Sequence, residues 1–315
     1  MRVFEVFARA VTGLLMLILV VSGLPGGETA MATEQQITEH DEPWARGDAG
    51  PLQARIYRPA AAAGPLPALL DVHGGAWSAF DRTAGALYDR ALAARGFLVV
   101  AIDFRQGPEH QHPAASRDVA GAVRWLRLNA GRLGADVSRI GLIGSSSGGH
   151  LALLAGVWPD VAAHQGTQIF VGDAGPAAHD EVSARVDYVV ALWPVSDPFF
   201  RYRYARRAGI DRLVKAHDGY YGSESAMREA SVPRIVVAGE AQQLPDVLVV
   251  QPGEDSNVPV EMTFELLRAW QSRGGYIEYA YFPDQPHAFG HRPSPATSRM
   301  IALVEDFARR QLGGL

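Results

Sequence analysis

The stretch Arg139–Val157, RIGLIGSSSGGHLALLAGV, constrains the fold more than any other part of the chain. An apolar run fit for a buried strand passes through Gly144-Ser145-Ser146-Ser147-Gly148-Gly149 straight into an apolar run fit for a helix. So tight a reversal forces its central residue into a strained backbone, and a glycine two positions to either side lets strand and helix approach without Cβ clashes. G-x-S-x-G between a strand and a helix is a nucleophile elbow. It would lift the Ser146 hydroxyl above the sheet, with a helix N-terminus behind it. A Ser/Gly-rich turn that only joins two elements would explain the composition but not this setting.

From about residue 52 the chain repeats the same alternation. Strands are expected at Leu52–Arg58, Ala68–His73, Phe97–Phe104, Arg139–Gly144, Val186–Trp193, Val247–Gln251 and Tyr276–Phe282. The middle ones are unbroken apolar runs, as strands covered on both faces must be. Helices are expected at Gly85–Arg95, Ser116–Leu133, Ser147–Val157, Val260–Arg273 and Thr297–Gln311. In the second of these Val119, Val123, Leu126 and Leu133 mark one buried face. The pattern predicts an α/β fold with a mostly parallel, doubly wound sheet and helices on both faces. No repeat or low-complexity linker divides it, so residues 33–315 read as one catalytic domain. Pro159–Glu181 is expected to be loop. A segment at about 196–231, rich in Arg, Tyr and Phe between two core strands, is expected to form a small cap over the strands' carboxyl ends, where such sheets bind ligands.

A serine hydroxyl is a weak nucleophile at neutral pH and requires a base, which a carboxylate must orient. His287, in FPDQPHAFG just after the last strand, is placed to return to the top of the sheet. His291 is its main rival, while His150, one turn inside the elbow helix, is expected to pack in the core. For the acid, Asp255 follows the run LVVQPGED and precedes a helix, with Glu254 and Asp197 as the alternatives. The order Ser146, Asp255, His287 along the chain is that of the hydrolase elbow fold.

Acyl transfer also needs hydrogen-bond donors for the developing oxyanion. His73-Gly74-Gly75-Ala76-Trp77, directly after the strand ALLDV, can leave backbone amides bare and close to the nucleophile, where the amide of Ser147 would join them. Trp77, at the end of that turn, and Ser145, beside the nucleophile, are expected to touch the substrate.

These motifs resemble the α/β-hydrolase esterases of the hormone-sensitive-lipase type and the related BD-FAE (feruloyl-esterase-like) group. The resemblance runs from about Ala54 to Leu312 through HGGAW, the stretch Asp103–Arg127, GSSSGGH, QPGEDSNVP and PHAFG. It implies Ser146 as nucleophile, His287 as base and Asp255 as its orienter, with the amides of Gly75, Ala76 and Ser147 as the oxyanion hole. Three positions depart from the pattern: Ala76 stands where a third glycine is usual, FRQGPE where YRLAPE is usual, and Ser145 where the lipase-type members often carry Asp. The acid segment is nearer the BD-FAE-like group. A serine carboxylesterase-type hydrolase acting on a small-molecule ester, short-chain or aryl, is therefore expected. The same triad could serve a formamidase, amidase or lactonase, and the fold could serve a non-catalytic binding protein. Six basic residues between Arg201 and Lys215, beside Phe199, Phe200, Tyr202 and Tyr204, suit either an aromatic or anionic ester or a solvated helix face.

Composition removes other chemistries. Cysteine is absent, which excludes a disulfide framework, a thiol nucleophile and cysteine-ligated zinc. A net charge of −5 argues against nucleic acid as a partner. With no metal-ligand cluster, phosphate loop or dinucleotide fingerprint, no cofactor and no metal are expected. Arg2 and Arg9, an uncharged apolar run from Ala10 to about Leu24, and Ala30-Met31-Ala32 predict a secretory signal peptide over residues 1–32. Its removal would leave no stable membrane span and a secreted or periplasmic protein. A retained anchor, or a cytoplasmic chain starting at Met31, are the alternatives.

Overall fold

The computed structural model describes residues 36–313; the expected signal peptide lies outside them. Its spine is an eight-stranded sheet in the order β1-β2-β4-β3-β5-β6-β7-β8. The strands are Ile37–Arg46 (β1), Pro51–Pro59 (β2), Leu66–Val72 (β3), Leu98–Ile102 (β4), Ala135–Ser145 (β5), Tyr188–Leu192 (β6), Asp246–Glu254 (β7) and Ile277–Pro286 (β8). The first two pair antiparallel, β2 meets β4 antiparallel, and every pairing from β4 to β8 is parallel. Strands β4 and β6 are buried at every position, which is why their sequences show apolar runs and no alternation.

Helices close both faces. Ala86–Ala93 (α1) and Pro295–Gln311 (α10) pack with Leu69, Val99, Ile143 and Val190 on one face. Ala114–Leu128 (α2), Ser147–Val157 (α4) and Val260–Ser272 (α9) pack on the other, with Leu70, Val100, Leu142 and Val249. Val119, Val123, Leu126 and Leu133 are all buried there. The helix expected over Ser116–Leu133 is broken at Asn129, beyond which a single turn, Ala130–Leu133 (α3), follows. The Asn129 amide donates to the carbonyls of Trp125 and Phe170 and so ties off α2 against the next loop.

Between β6 and β7 the chain forms four helices, Pro198–Ala208 (α5), Asp211–Tyr221 (α6), Glu224–Glu229 (α7) and Val232–Ala238 (α8). The first three lie within the segment expected to be a cap. The last was not expected; it packs against α4 and α9 as part of the main body. Strand β1 was not expected either. Its residues are mostly exposed, with Trp44 and Ala45 alone fully buried, and its ladder to β2 is reinforced by the Arg55–Asp41 pair at 2.6 Å.

Candidate active site

The elbow is built as its glycines require. Ser146 has φ 56° and ψ −119°, a conformation that costs a non-glycine residue of order 1–3 kcal/mol and persists only where the surroundings over-determine it. Those surroundings are hydrogen bonds from the Ser146 amide to the Leu192 carbonyl at 2.8 Å and from the amides of Val195 and His150 to the Ser146 carbonyl. A Cβ on Gly148 would stand 2.0 Å from the Val72 carbonyl oxygen, and one on Gly144 2.5 Å from that of Gly148. Neither position can hold anything larger than glycine.

Ser146, His287 and Asp255 meet in one hydrogen-bonded line. His287 Nε2 lies 3.1 Å from Ser146 Oγ, and His287 Nδ1 lies 2.7 Å from Asp255 Oδ2. The carboxylate's other oxygen accepts from the backbone amides of Asn257 and Val258, each at 2.8 Å. An ionised carboxylate only accepts, so Nδ1 carries the proton and Nε2 is left as the acceptor facing the serine hydroxyl. The Asp255 side chain is 1% exposed, that of His287 18%, and Ser146 8%. The line thus runs from a dry end to one that solvent and ligand can reach.

The rival groups are engaged elsewhere. His291 bonds the Ala84 carbonyl through Nδ1 at 2.8 Å, and burial holds its ring below the usual imidazole range. His150 is fully buried on the Ala230 carbonyl. Asp197 caps α5, accepting from the Phe200 amide and the Ser231 hydroxyl, and Glu254 is exposed at the end of β7.

The loop after β3 passes directly beside the serine. A Cβ on Gly74 would lie 3.3 Å from Ser146 Cβ, and Gly75 (φ 107°) and Ala76 (φ 53°) both adopt left-handed backbone. Among the described residues no acceptor engages the amides of Gly75, Ala76 or Ser147. Behind the loop, Phe104 stacks on His73 at 4.3 Å and the Gly107 amide donates to the Trp77 carbonyl at 2.9 Å, so the FRQGPE segment is its backing.

The two side chains expected to touch substrate are both buried. Trp77 is fully buried: with φ 61° its indole turns under the cap, where it stacks on Tyr220 at 5.4 Å and meets Tyr221, His150 and His217 edge-on. Ser145 is buried as well; it is carried by the strand to the side of Tyr88. Of the six basic residues between Arg201 and Lys215, Arg203, Arg206, Arg207, Arg212 and Lys215 are exposed and Arg201 is fully buried. The clasp on Asp255 was also not anticipated, although Asp followed by a helix start is a recognisable Asx-turn signal.

Among the described residues no group of His, Asp or Glu is arranged to hold a metal ion, and no helix is long and apolar enough to cross a membrane.

The BD-FAE family model matches residues 55–270. Esterase LipC of Mycobacterium tuberculosis is 30% identical over 76% of this chain and 58% of its own length. Carboxylesterase NlhH of the same organism is 37% identical over 35% of this chain and 35% of its own. The chain thus spans about half, or less, of the length of the curated relatives it matches. Among solved structures, an esterase from the archaeon Pyrobaculum calidifontis superposes with a TM-score of 0.68 at 23% identity, covering 88% of this chain and 86% of that one. Esterase B from Lactobacillus rhamnosis does so with a TM-score of 0.70 at 20% identity, over 89% and 88%. At these identities the likeness concerns the fold, which is that of the α/β-hydrolases.

Proposed function

The chain belongs to the BD-FAE family of α/β-hydrolases, and on that premise we propose that it is a serine hydrolase cleaving carboxylic esters through an acyl-enzyme on Ser146. The observation that carries this is the continuous line from Asp255 through His287 to Ser146 Oγ, in which both ring nitrogens of the histidine are used. The names of the relatives, esterases and carboxylesterases, support the same reaction class.

In the first half-reaction Ser146 Oγ attacks the ester carbonyl carbon while its proton passes to His287 Nε2. Asp255, held by two amides and buried, keeps Nδ1–H oriented and stabilises the imidazolium. The carbonyl oxygen becomes an oxyanion received by the amides of Gly75, Ala76 and Ser147; one such donor is worth about 3–4 kcal/mol in the transition state. The intermediate collapses as the bond to the alcohol oxygen breaks and the imidazolium returns its proton to that oxygen. Water then attacks the acyl-serine, giving its proton to Nε2, and the same proton goes back to Ser146 Oγ as the carboxylic acid leaves. Short acyl chains or aryl esters are the proposed substrates.

The test is fluorophosphonate labelling of the parent and of Ser146→Ala, paired with a p-nitrophenyl ester series from acetate to palmitate. Labelling and turnover should vanish together in the variant, with kcat down roughly 10⁴–10⁶-fold, and the parent should prefer the short esters. Labelling that persists without Ser146 overturns the assignment. Faster turnover of aryl formamides or lactones than of esters would move the chain to those substrates with the same triad.

A further inference from the structure

Arg201, on α5 of the cap, is fully buried, and none of its nitrogens lies in an ion pair among the described residues. Its Nη1 donates to Asn257 Oδ1 at 3.1 Å, and its Nε points at His217 Nε2 at 3.4 Å. That histidine nitrogen is free to accept because Nδ1 already donates to the Leu213 carbonyl at 2.7 Å. Among the described residues Arg201 Nη2 has no partner, and Cζ stands 4.9 Å above the centre of the Trp77 ring. Burial draws the group's pKa down to about 9, so it is still a cation at neutral pH. Enclosing a guanidinium with no carboxylate in contact is costly, while the other five basic residues of the segment are all exposed.

What Arg201 touches gives that burial a purpose. Asn257 supplies one of the two amides that clasp Asp255 Oδ1, and its side chain is the acceptor for Arg201. One turn further along α5 the Tyr204 hydroxyl donates to the Ser256 carbonyl at 2.9 Å, so the helix grips the acid turn at two consecutive residues. On its other side Arg201 covers Trp77, the residue after Ala76, whose amide donates to Ser147 Oγ at 3.2 Å. A single cap side chain therefore spans the loop that carries the acid and the loop that carries the oxyanion donors.

We infer that Arg201 is a positioning residue for the reaction: through Asn257 it fixes the Asp255 turn against His287, and through Trp77 it fixes the oxyanion loop against Ser146. This rests on the triad reading above. The cap is then part of the catalytic framework and not only a cover over the substrate.

The test compares Asn257→Ala, Arg201→Met and their combination with the parent. It measures kcat and KM for p-nitrophenyl acetate, the pH profile of kcat/KM, and the rate of fluorophosphonate labelling. A carboxylate shifted by part of an ångström should lower kcat roughly 10–100-fold in either single variant with KM changed less than about threefold. In Asn257→Ala, where no charge is removed, a weaker Asp255 contact should stabilise the protonated His287 ring less. The ascending limb should then move to lower pH by about half a unit or more. Because the Asn257 contact is one of the two that Arg201→Met already removes, the double variant should be no slower than the worse single one. Parental kcat and an unmoved pH profile in Asn257→Ala, or losses that multiply in the double variant, overturn the inference. Asn257→Ala keeps the test decisive if Arg201→Met does not fold. If the triad reading itself were wrong, the parent would not label; if only this inference were wrong, Asn257→Ala would label at the parental rate.

Discussion

Two dry polar layers flank the elbow on opposite faces of the sheet, and burial shifts the carboxyls of one and the histidines of the other in opposite directions. On the α1 side lie Asp71, Tyr88, Asp89, Tyr57 and Ser145. Burial pushes both carboxyls well above the usual range, and the charge of Asp71 raises Asp89 further. On the cap side lie Trp77, His150, His217, Tyr220 and Tyr221 around Arg201, and burial draws both histidines down to about 3. Among the described residues both layers leave polar atoms without partners: Asp71 Oδ2, both Asp89 oxygens, Tyr57 Oη and Ser145 Oγ in the first, and Trp77 Nε1, His150 Nδ1, Arg201 Nη2, Tyr220 Oη and Tyr221 Oη in the second. In the second, ring stacks on the flat indole of Trp77, 5.4 Å from Tyr220, and the shape of the layer is set by packing. Burial therefore favours protonated carboxyls on one side of the serine and unprotonated histidines on the other.

The sharpest way to break the contrast is Trp77→Ala. It should remove about 3–5 kcal/mol of stability, as large-to-small changes at buried aromatics do. The loop after β3 should lose its anchor with it, so activity should fall beyond what the unfolded fraction explains. Urea denaturation checks the first part and kcat on the folded population the second. A loss below about 1 kcal/mol would mean that the cap side is not a packed layer at all.

The next effect in size is on pH dependence, and its sign differs between the layers. A buried neutral histidine binds its proton less readily folded than unfolded. Its contribution is therefore complete above about pH 6.5 and is lost as pH falls towards 3. A buried carboxyl raised in pKa does the reverse, and stability falls as pH climbs above about 4. Going from pH 8 to pH 5 should cost the parent about 2 kcal/mol for each such histidine. His150→Gln should be flatter over that interval by about this amount. Asp71→Asn should be flatter in the other direction, by at least about 1 kcal/mol. Urea midpoints across pH 5–8 measure both; parallel curves for parent and variants would break the opposition between the layers.

Much of this was legible in the sequence, though unevenly. The parallel strands declared themselves because burial on both faces leaves unbroken apolar runs, and the elbow because only glycine fits at 144 and 148. The positions of Ser146, Asp255 and His287 followed from where strands end. Strand β1 was silent because it is held by backbone pairing and surface ion pairs, which impose no apolar pattern. The break at Asn129 depends on a carbonyl from a distant loop, that of Phe170. Trp77 looked like a ligand contact because its local sequence places it beside the nucleophile. Its burial is decided by Tyr220, Tyr221 and Arg201, which only the folded chain brings over it. The acid layer was invisible for a related reason, since Asp71 and Asp89 look like any polar residues in a strand and a helix.

The smallest effect separates paired from unpaired hydroxyls within the acid layer. Tyr88 donates to Asp71 Oδ1 at 3.2 Å, whereas the Tyr57 hydroxyl, equally buried, has no partner among the described residues. Removing a paired hydroxyl leaves a buried acceptor stranded, so Tyr88→Phe should cost about 1–2 kcal/mol. Removing an unpaired one strands nothing and relieves a desolvated group, so Tyr57→Phe should lie within about 0.5 kcal/mol of the parent or be slightly more stable. Chemical denaturation near pH 6, where the raised carboxyls keep their protons, resolves the two. Equal losses would mean that the Tyr57 hydroxyl is paired in solution, and the acid layer would then hold one stranded group fewer.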